Sequence, residues 1–314
     1  MKYVIVDCDP GIDDALALHV LARMARRGEI EILGITTLAG NVPLEYTARN
    51  AAFVSAELGG LAPVFLGAAG PLQGSVRAEA GDYHGSDGLG GLYRSGHAPP
   101  STQNAIEWLV ETVRDLSTRG ISPTVLAVGP LTNIALALEA EPRLPSLVEN
   151  TIIMGGAVTT PGNITRHGEF NFFCDPEAAA AVFRSGLRID LVPLDVTEQV
   201  LITTHDVDEM ESRLGGASPG TGLLRASIEF YRKMDGRDGC IMHDALAAAT
   251  ITEPDIIGWQ EMSIAVVTEG VERGRSIESA EGGRCRVARR VDAEWARRAI
   301  LDAVAEIGTQ AMTR

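Results

Sequence analysis

Tyr3-Val4-Ile5-Val6-Asp7-Cys8-Asp9-Pro10-Gly11-Ile12-Asp13-Asp14-Ala15-Leu16-Ala17-Leu18 is the stretch that decides the fold. Residues of strand character run into a break at Pro10-Gly11. The apolar positions that follow mix helical spacings with adjacent pairs, as a well-buried helix does. Four carboxylates, those of Asp7, Asp9, Asp13 and Asp14, therefore crowd one strand-to-helix turn. Packing like charges that closely is costly unless a cation offsets them or some stay protonated. An all-oxygen ligand set suits a hard ion such as Ca2+ or Mg2+, and no Cys-His cluster accompanies it to favour zinc or copper. An EF-hand is excluded, because the twelfth position counted from Asp7 is Leu18 rather than a carboxylate. Helix N-terminal preference accounts for one or two of the aspartates, not four.

Outward from this turn, strand, loop and helix repeat. Glu31 to Thr37 reads as a second buried strand, followed by Leu38-Ala39-Gly40-Asn41 and a helix from about Pro43. Val64-Phe65-Leu66 is a short third strand, Ala105 to Leu116 a helix, and Pro123 to Val128 a central strand ending at Gly129-Pro130-Leu131-Thr132-Asn133. Thr151 to Met154 and Arg188 to Leu194 repeat the theme. Such alternation predicts parallel strands with right-handed crossovers and ligands outside their carboxyl ends. Thr204 to Gly239 turns helical and charged, broken at Ser218-Pro219-Gly220, and reads as a helical flap. Met262 to Thr268, Glu272 to Glu278 and Cys285 to Val291 read as a small β meander before a closing helix over 292–305. The expectation is an α/β chain with a mostly parallel, Rossmann-like open sheet flanked by helices, forming one domain over residues 1–314.

Three further segments reach the same sheet edge. Residues 67–100 are rich in Gly and Pro and hold His84-Gly85-Ser86-Asp87-Gly88-Leu89-Gly90-Gly91, a weak phosphate loop but a reasonable flap with glycine hinges. Asn163, Glu169 and Asn171 form a polar trio suited to sugar hydroxyls, each of which must be paired when buried. His243 beside Asp244 opens a helix of small residues. Asp175-Pro176 is accounted for as a helix cap, and Asp195 and Thr197 are read as capping the helix that follows them.

Composition narrows the partners. With 45% hydrophobic and 22% charged residues the chain has material for a large core, and a net charge of −15 argues against nucleic acid or an anionic membrane. Four widely spaced cysteines without a C-x-x-C suggest neither a disulfide framework nor a zinc site. No apolar run approaches a membrane span or signal peptide, so the expectation is a cytoplasmic protein acting on a small molecule.

The chemistry of these groups is that of a metal-assisted hydrolase. Abundant negative charge steadies a positive, oxocarbenium-like transition state and would oppose an oxyanion, which favours glycosyl over acyl transfer. The sequence is similar to the nucleoside hydrolases, the inosine-uridine preferring family. It resembles them in D-C-D-P-G-I-D-D-A at Asp7 to Ala15, T-T-L-A-G-N ending at Asn41, H-G-S-D-G-L-G-G from His84, G-P-L-T-N from Gly129, M-G-G from Met154, Glu169-Phe170-Asn171, and H-D-A from His243. The resemblance implies hydrolysis of the N-ribosyl bond to ribose and free base, with Ca2+ held by Asp9, Asp14, the Val128 carbonyl and Asp244. It further implies Asp9 as base, His243 as proton donor with His84 beside it, and a nucleoside held by Asp13, Asn41, Met154, Asn163, Glu169 and Asn171. Tyr231 could reach the site from the helical flap. A homodimer or homotetramer is implied in the same way. Two rivals stand: a haloacid-dehalogenase-like phosphatase, which Asp7-Cys8-Asp9 also resembles although Pro10 breaks its pattern, and a non-catalytic Ca2+-dependent sugar binder.

Overall fold

The computed structural model describes residues 1–74 and 81–311, so residues 75–80 of the long irregular segment lie outside the described residues. The chain runs β1 (Lys2–Cys8), α1 (Ile12–Arg26), β2 (Ile30–Thr37), α2 (Leu44–Glu57), β3 (Val64–Leu66), α3 (Gly81–His84), β4 (Ser101–Asn104) and α4 (Ala105–Thr118). It continues through β5 (Thr124–Ala127), α5 (Thr132–Ala140), α6 (Leu144–Leu147), β6 (Asn150–Met154), α7 (Phe170–Cys174), α8 (Pro176–Arg184), β7 (Ile189–Val192) and α9 (Leu194–Thr197). The last part is β8 (Leu201–Thr203), α10 (Thr204–Leu214), α11 (Pro219–Asp235), β9 (Gly239–Ile241), α12 (His243–Ala249), β10 (Ile257–Val266), β11 (Ser276–Glu278), β12 (Gly283–Val291) and α13 (Ala293–Ala311).

The main sheet has the order β11-β10-β12-β7-β6-β5-β1-β2-β3-β4. From β12 to β4 every neighbouring pair is parallel, with Asp7 opposite both Thr36 of β2 and Ala127 of β5. Strand order reverses between β1 and β5. In an open α/β sheet that reversal leaves a crevice at the strands' carboxyl ends, where ligands bind. The β1–α1 turn and Gly129 both lie there.

Alternation along β1 splits the core in two. Val4 and Val6 face α1, α2 and α11 to α13, through side chains such as Leu16, Leu21, Leu246 and Ile300. Ile5 faces α4, α5 and α8 through Leu109, Ile134 and Val182. A strand buried on both faces reads as an unbroken apolar run, as Val4-Ile5-Val6 does.

The expected meander is present, but it does not stand apart. β10 pairs antiparallel with β11 and β12, and β12 lies parallel to β7, so the meander extends the main sheet. Its middle strand is shorter than Glu272 to Glu278 because a 3-10 turn occupies Gly270–Glu272. The helical flap is α10 and α11. α11 opens on a Ser218–Thr221 capping box and ends at Gly236, whose φ of +76° is the left-handed conformation glycine tolerates. Flanking the flap, β8 and β9 form a separate antiparallel pair that periodicity did not suggest.

Candidate active site

The β1–α1 turn forms the floor. Asp14 closes it, accepting the Asp9 amide at 3.1 Å and the Gly11 amide at 2.9 Å. The Asn41 amide donates to Asp9 Oδ2 at 2.6 Å, and Asn41 Nδ2 donates to the Asp9 carbonyl at 3.1 Å and to Asp14 at 3.2 Å. The Asp9 carboxylate is gripped between two glycines: a Cβ at Gly40 would lie 2.0 Å from Oδ2, and one at Gly129 would lie 2.5 Å from Oδ1. This gives a physical reason for glycine at both positions. Beneath, Asp7 accepts Thr36 Oγ1 at 2.6 Å and Asn133 Nδ2 at 2.7 Å, and so buttresses the turn.

Asp13 reaches across to α12. Its Oδ2 accepts the amides of His243 at 2.9 Å and Asp244 at 3.0 Å, while Asp13 Oδ1 and Asp9 Oδ1 are buried with no hydrogen-bond partner. Burial pushes Asp7 and Asp13 up to about 7 and Asp14 to about 6. Asp9 and Asp244 are raised well above the usual carboxylate range, by burial and then by the neighbouring aspartates.

Above the floor lies a cleft of about 320 Å³. Of the residues expected in the site, Asp13, Asn41, His84, Val128, Met154, Asn163, Glu169, Asn171, Tyr231, His243 and Asp244 line it. Asp9 and Asp14 do not; they are buried below it. The polar trio is partly spent on the chain itself. Glu169 caps α7 and accepts the amides of Gly156, Asn171 and Phe172 at 2.8 to 3.1 Å. Asn171 Nδ2 donates to the Val128 carbonyl at 2.9 Å and the Met154 carbonyl at 3.2 Å. Asn163 sits at the exposed rim, with its side-chain oxygen accepting the Phe170 amide at 2.9 Å. His84 Nδ1 accepts the Ile12 amide at 3.1 Å, which ties the glycine-rich run to the head of α1, and Leu89 of that run is fully buried. Burial lowers His84 to about 4. Burial, then His84 and Arg237, lowers His243 to about 3, so both rings are uncharged at neutral pH.

The model of the inosine-uridine preferring nucleoside hydrolases matches residues 4–298. The chain belongs to that family. It is 36% identical over 282 residues to the non-specific ribonucleoside hydrolase RihC of Salmonella schwarzengrund, covering 89% of this chain and 88% of the relative. It is 34% identical over 285 residues to uridine nucleosidase 1 of Arabidopsis thaliana, covering 87% and 81%. A purine-preferring ribonucleoside hydrolase from Gardnerella vaginalis superposes with a TM-score of 0.90 at 27% identity, over 98% of this chain and all of that one. This nucleoside hydrolase is therefore an N-glycosyl hydrolase, and the phosphatase and pure sugar-binder readings fall away.

The family is metal-dependent in general, and the floor fits a hard cation. Among the described residues no three His, Cys, Asp or Glu side chains already converge at ligand spacing, because backbone amides hold several of these oxygens. The donors are nevertheless all oxygen, one floor carboxylate oxygen of Asp9 and one of Asp13 are buried without a partner, and no lysine or arginine pairs with any of them among the described residues.

Several cleft residues of the nucleoside hydrolase were not singled out in the sequence: Tyr83, whose ring lies 5.3 Å from that of Tyr231, with Glu198, Ser227 and Arg237. Tyr83 neighbours His84 and could have been found from it. The reading of Asp195 and Thr197 as caps is overturned. Both lie inside α9. Asp195 instead accepts the Val158 and Thr159 amides at 2.8 and 2.9 Å and pairs with Arg289, fixing the loop after β6. Thr197 Oγ1 lies 2.7 Å from His243 Nδ1.

Proposed function

We propose that this nucleoside hydrolase cleaves the N-glycosidic bond of ribonucleosides to ribose and free base with Ca2+ as its metal. The observation that carries the reading is that Asp9 Oδ1 and Asp13 Oδ1, at the head of the β1/β5 crevice, are buried without a partner, as is Asp7 Oδ2 beneath them. Asp9, Asp14, Asp244 and the Val128 carbonyl would hold the ion. When bound, it offsets the clustered charge and acidifies a coordinated water.

Asp9 Oδ1, an oxygen left without a partner, would accept the proton of the attacking water. Asp13 Oδ1, with Asn41, Asn163, Glu169 and Asn171, holds the ribose hydroxyls. Met154 lines the same cleft. The aspartates favour the oxocarbenium-like transition state by their charge. His243, with His84 and Tyr231 across the cleft, attends the departing base; being uncharged, the His243 ring acts through its N–H as negative charge develops on that base. The four cysteines are buried as thiols, which suits a reducing cytoplasm. The assembly is read as a homodimer or homotetramer.

The test is incubation with inosine, uridine, cytidine and adenosine, before and after exhaustive metal removal, with free base quantified by chromatography. Release that vanishes on chelation and returns with Ca2+ is expected. Release unaffected by complete metal removal would overturn the metal's role, and restoration by Mg2+ but not Ca2+ would overturn its identity.

A further inference from the structure

We propose that Thr197 is a positioning residue for His243: its hydroxyl donates to Nδ1, which leaves the ring proton on Nε2 and presents that N–H to the departing base. The inference rests on the reading of His243 given above. Thr197 is fully buried and does not line the cleft, so it acts only through the ring.

Hydrogen-bond accounting fixes the direction. The Oγ1 to Nδ1 contact at 2.7 Å is the only hydrogen bond of the Thr197 hydroxyl among the described residues. A hydroxyl has one proton, and burying it without an acceptor is costly. If Nδ1–H donated to Oγ1 instead, the hydroxyl proton would be stranded in the core. With Oγ1–H donating, every group in the pair is satisfied, and an accepting Nδ1 obliges Nε2 to carry the hydrogen.

The backbone on both sides locks this contact. Val200 donates its amide to the Thr197 carbonyl at 3.0 Å, and the Met242 amide donates to the Val200 carbonyl at 3.0 Å. The β8–β9 pair begins one residue further along, with Leu201 opposite Ile241. The His243 amide is held by Asp13. The two-stranded pair is therefore the mount that sets Thr197 against the ring, and a one-residue slip in it would separate them.

The experiment compares the wild type, Thr197→Val, which keeps the shape and removes the hydroxyl, and Thr197→Ser, which restores it. Nitrogen-15 NMR of histidine-labelled protein, with the His243 signals identified by their loss in His243→Asn, should show Nδ1 bare and Nε2 protonated in the wild type. Thr197→Val should lower kcat on uridine and inosine tenfold or more with KM within twofold. It should leave 4-nitrophenyl riboside, whose leaving group needs no donor, within twofold, and Thr197→Ser should recover most of the loss. A wild-type ring protonated on Nδ1, or an equal loss on both substrate types, would overturn the proposal. If the wild type released no base from any nucleoside, the functional reading would fail, while the NMR measurement would still decide the tautomer.

Discussion

Two populations of buried carboxylate share this fold. Asp190, Asp195 and Asp206 each meet an arginine, Arg286, Arg289 and Arg297 respectively, and Glu141 meets Arg114 and Arg143. Asp7, Asp9, Asp13, Asp14 and Asp244 meet amides, hydroxyls and one another, with no ion pair among the described residues. Burying an ionised carboxylate without a countercharge is expensive. Those four each meet a guanidinium, whereas Asp175, the fully buried cap of α8, accepts the Leu72 and Ala178 amides and the Thr132 hydroxyl instead. At the β1/β5 crevice no guanidinium meets the five aspartates among the described residues, and the cation proposed above would offset their charge.

The largest expected effect sits in the second population. Asp9→Asn should reduce turnover of nucleosides about a thousandfold, the order expected for losing a general base. It should not lower the melting temperature in metal-free buffer, because it removes one of several mutually repelling charges. A fall of several degrees there would place Asp9 with the architectural carboxylates and break the contrast.

Arg286→Met probes the first population. It keeps the aliphatic bulk beside Trp259 but leaves the buried Asp190 with Asn150 as its one remaining side-chain partner among the described residues. A loss of about 2 kcal/mol in urea denaturation is expected, with kcat and KM unchanged. Unchanged stability would mean the pair is ornamental.

The smallest effect is one of pH. Arg143, then Arg114, lowers Glu141 from its ordinary 4.5 to about 2. A depressed carboxylate contributes stability that is fully present above its unfolded value and is lost as pH falls through the folded one. The stability difference between wild type and Glu141→Gln should therefore be constant from neutral pH to about 4.5 and shrink between there and about 2. A difference that grew on acidification would reverse the sign.

The contrast also shows what a sequence makes legible. The crowded turn was readable because its aspartates are neighbours along the chain and its strand and helix have distinct periods. Asn41 could be placed at the same edge because strand ends in a parallel sheet share one, but only the resemblance to the family marked it as a site residue. Thr197 was misread as a cap because its partner lies 46 residues away and only the β8–β9 pair joins them. Those strands have three residues each, too few for alternation to register. The junction of β12 with β7 was hidden for a similar reason: nothing local distinguishes a free meander from one that docks. Glu198 and Arg237 carry no motif, and only the folded chain brings them to the cleft.

One arrangement bears on how such an enzyme diverges. On the reading proposed above, the cation and sugar end of the cleft would rest on loops of the large sheet and the nucleobase end on α3, α11 and the β8–β9 pair outside it. The two meet at a single peptide, His243-Asp244, anchored to α1 by one oxygen of Asp13. On that reading, substitutions in the flap would change which base departs without disturbing ribose capture, provided that this one peptide stays in place.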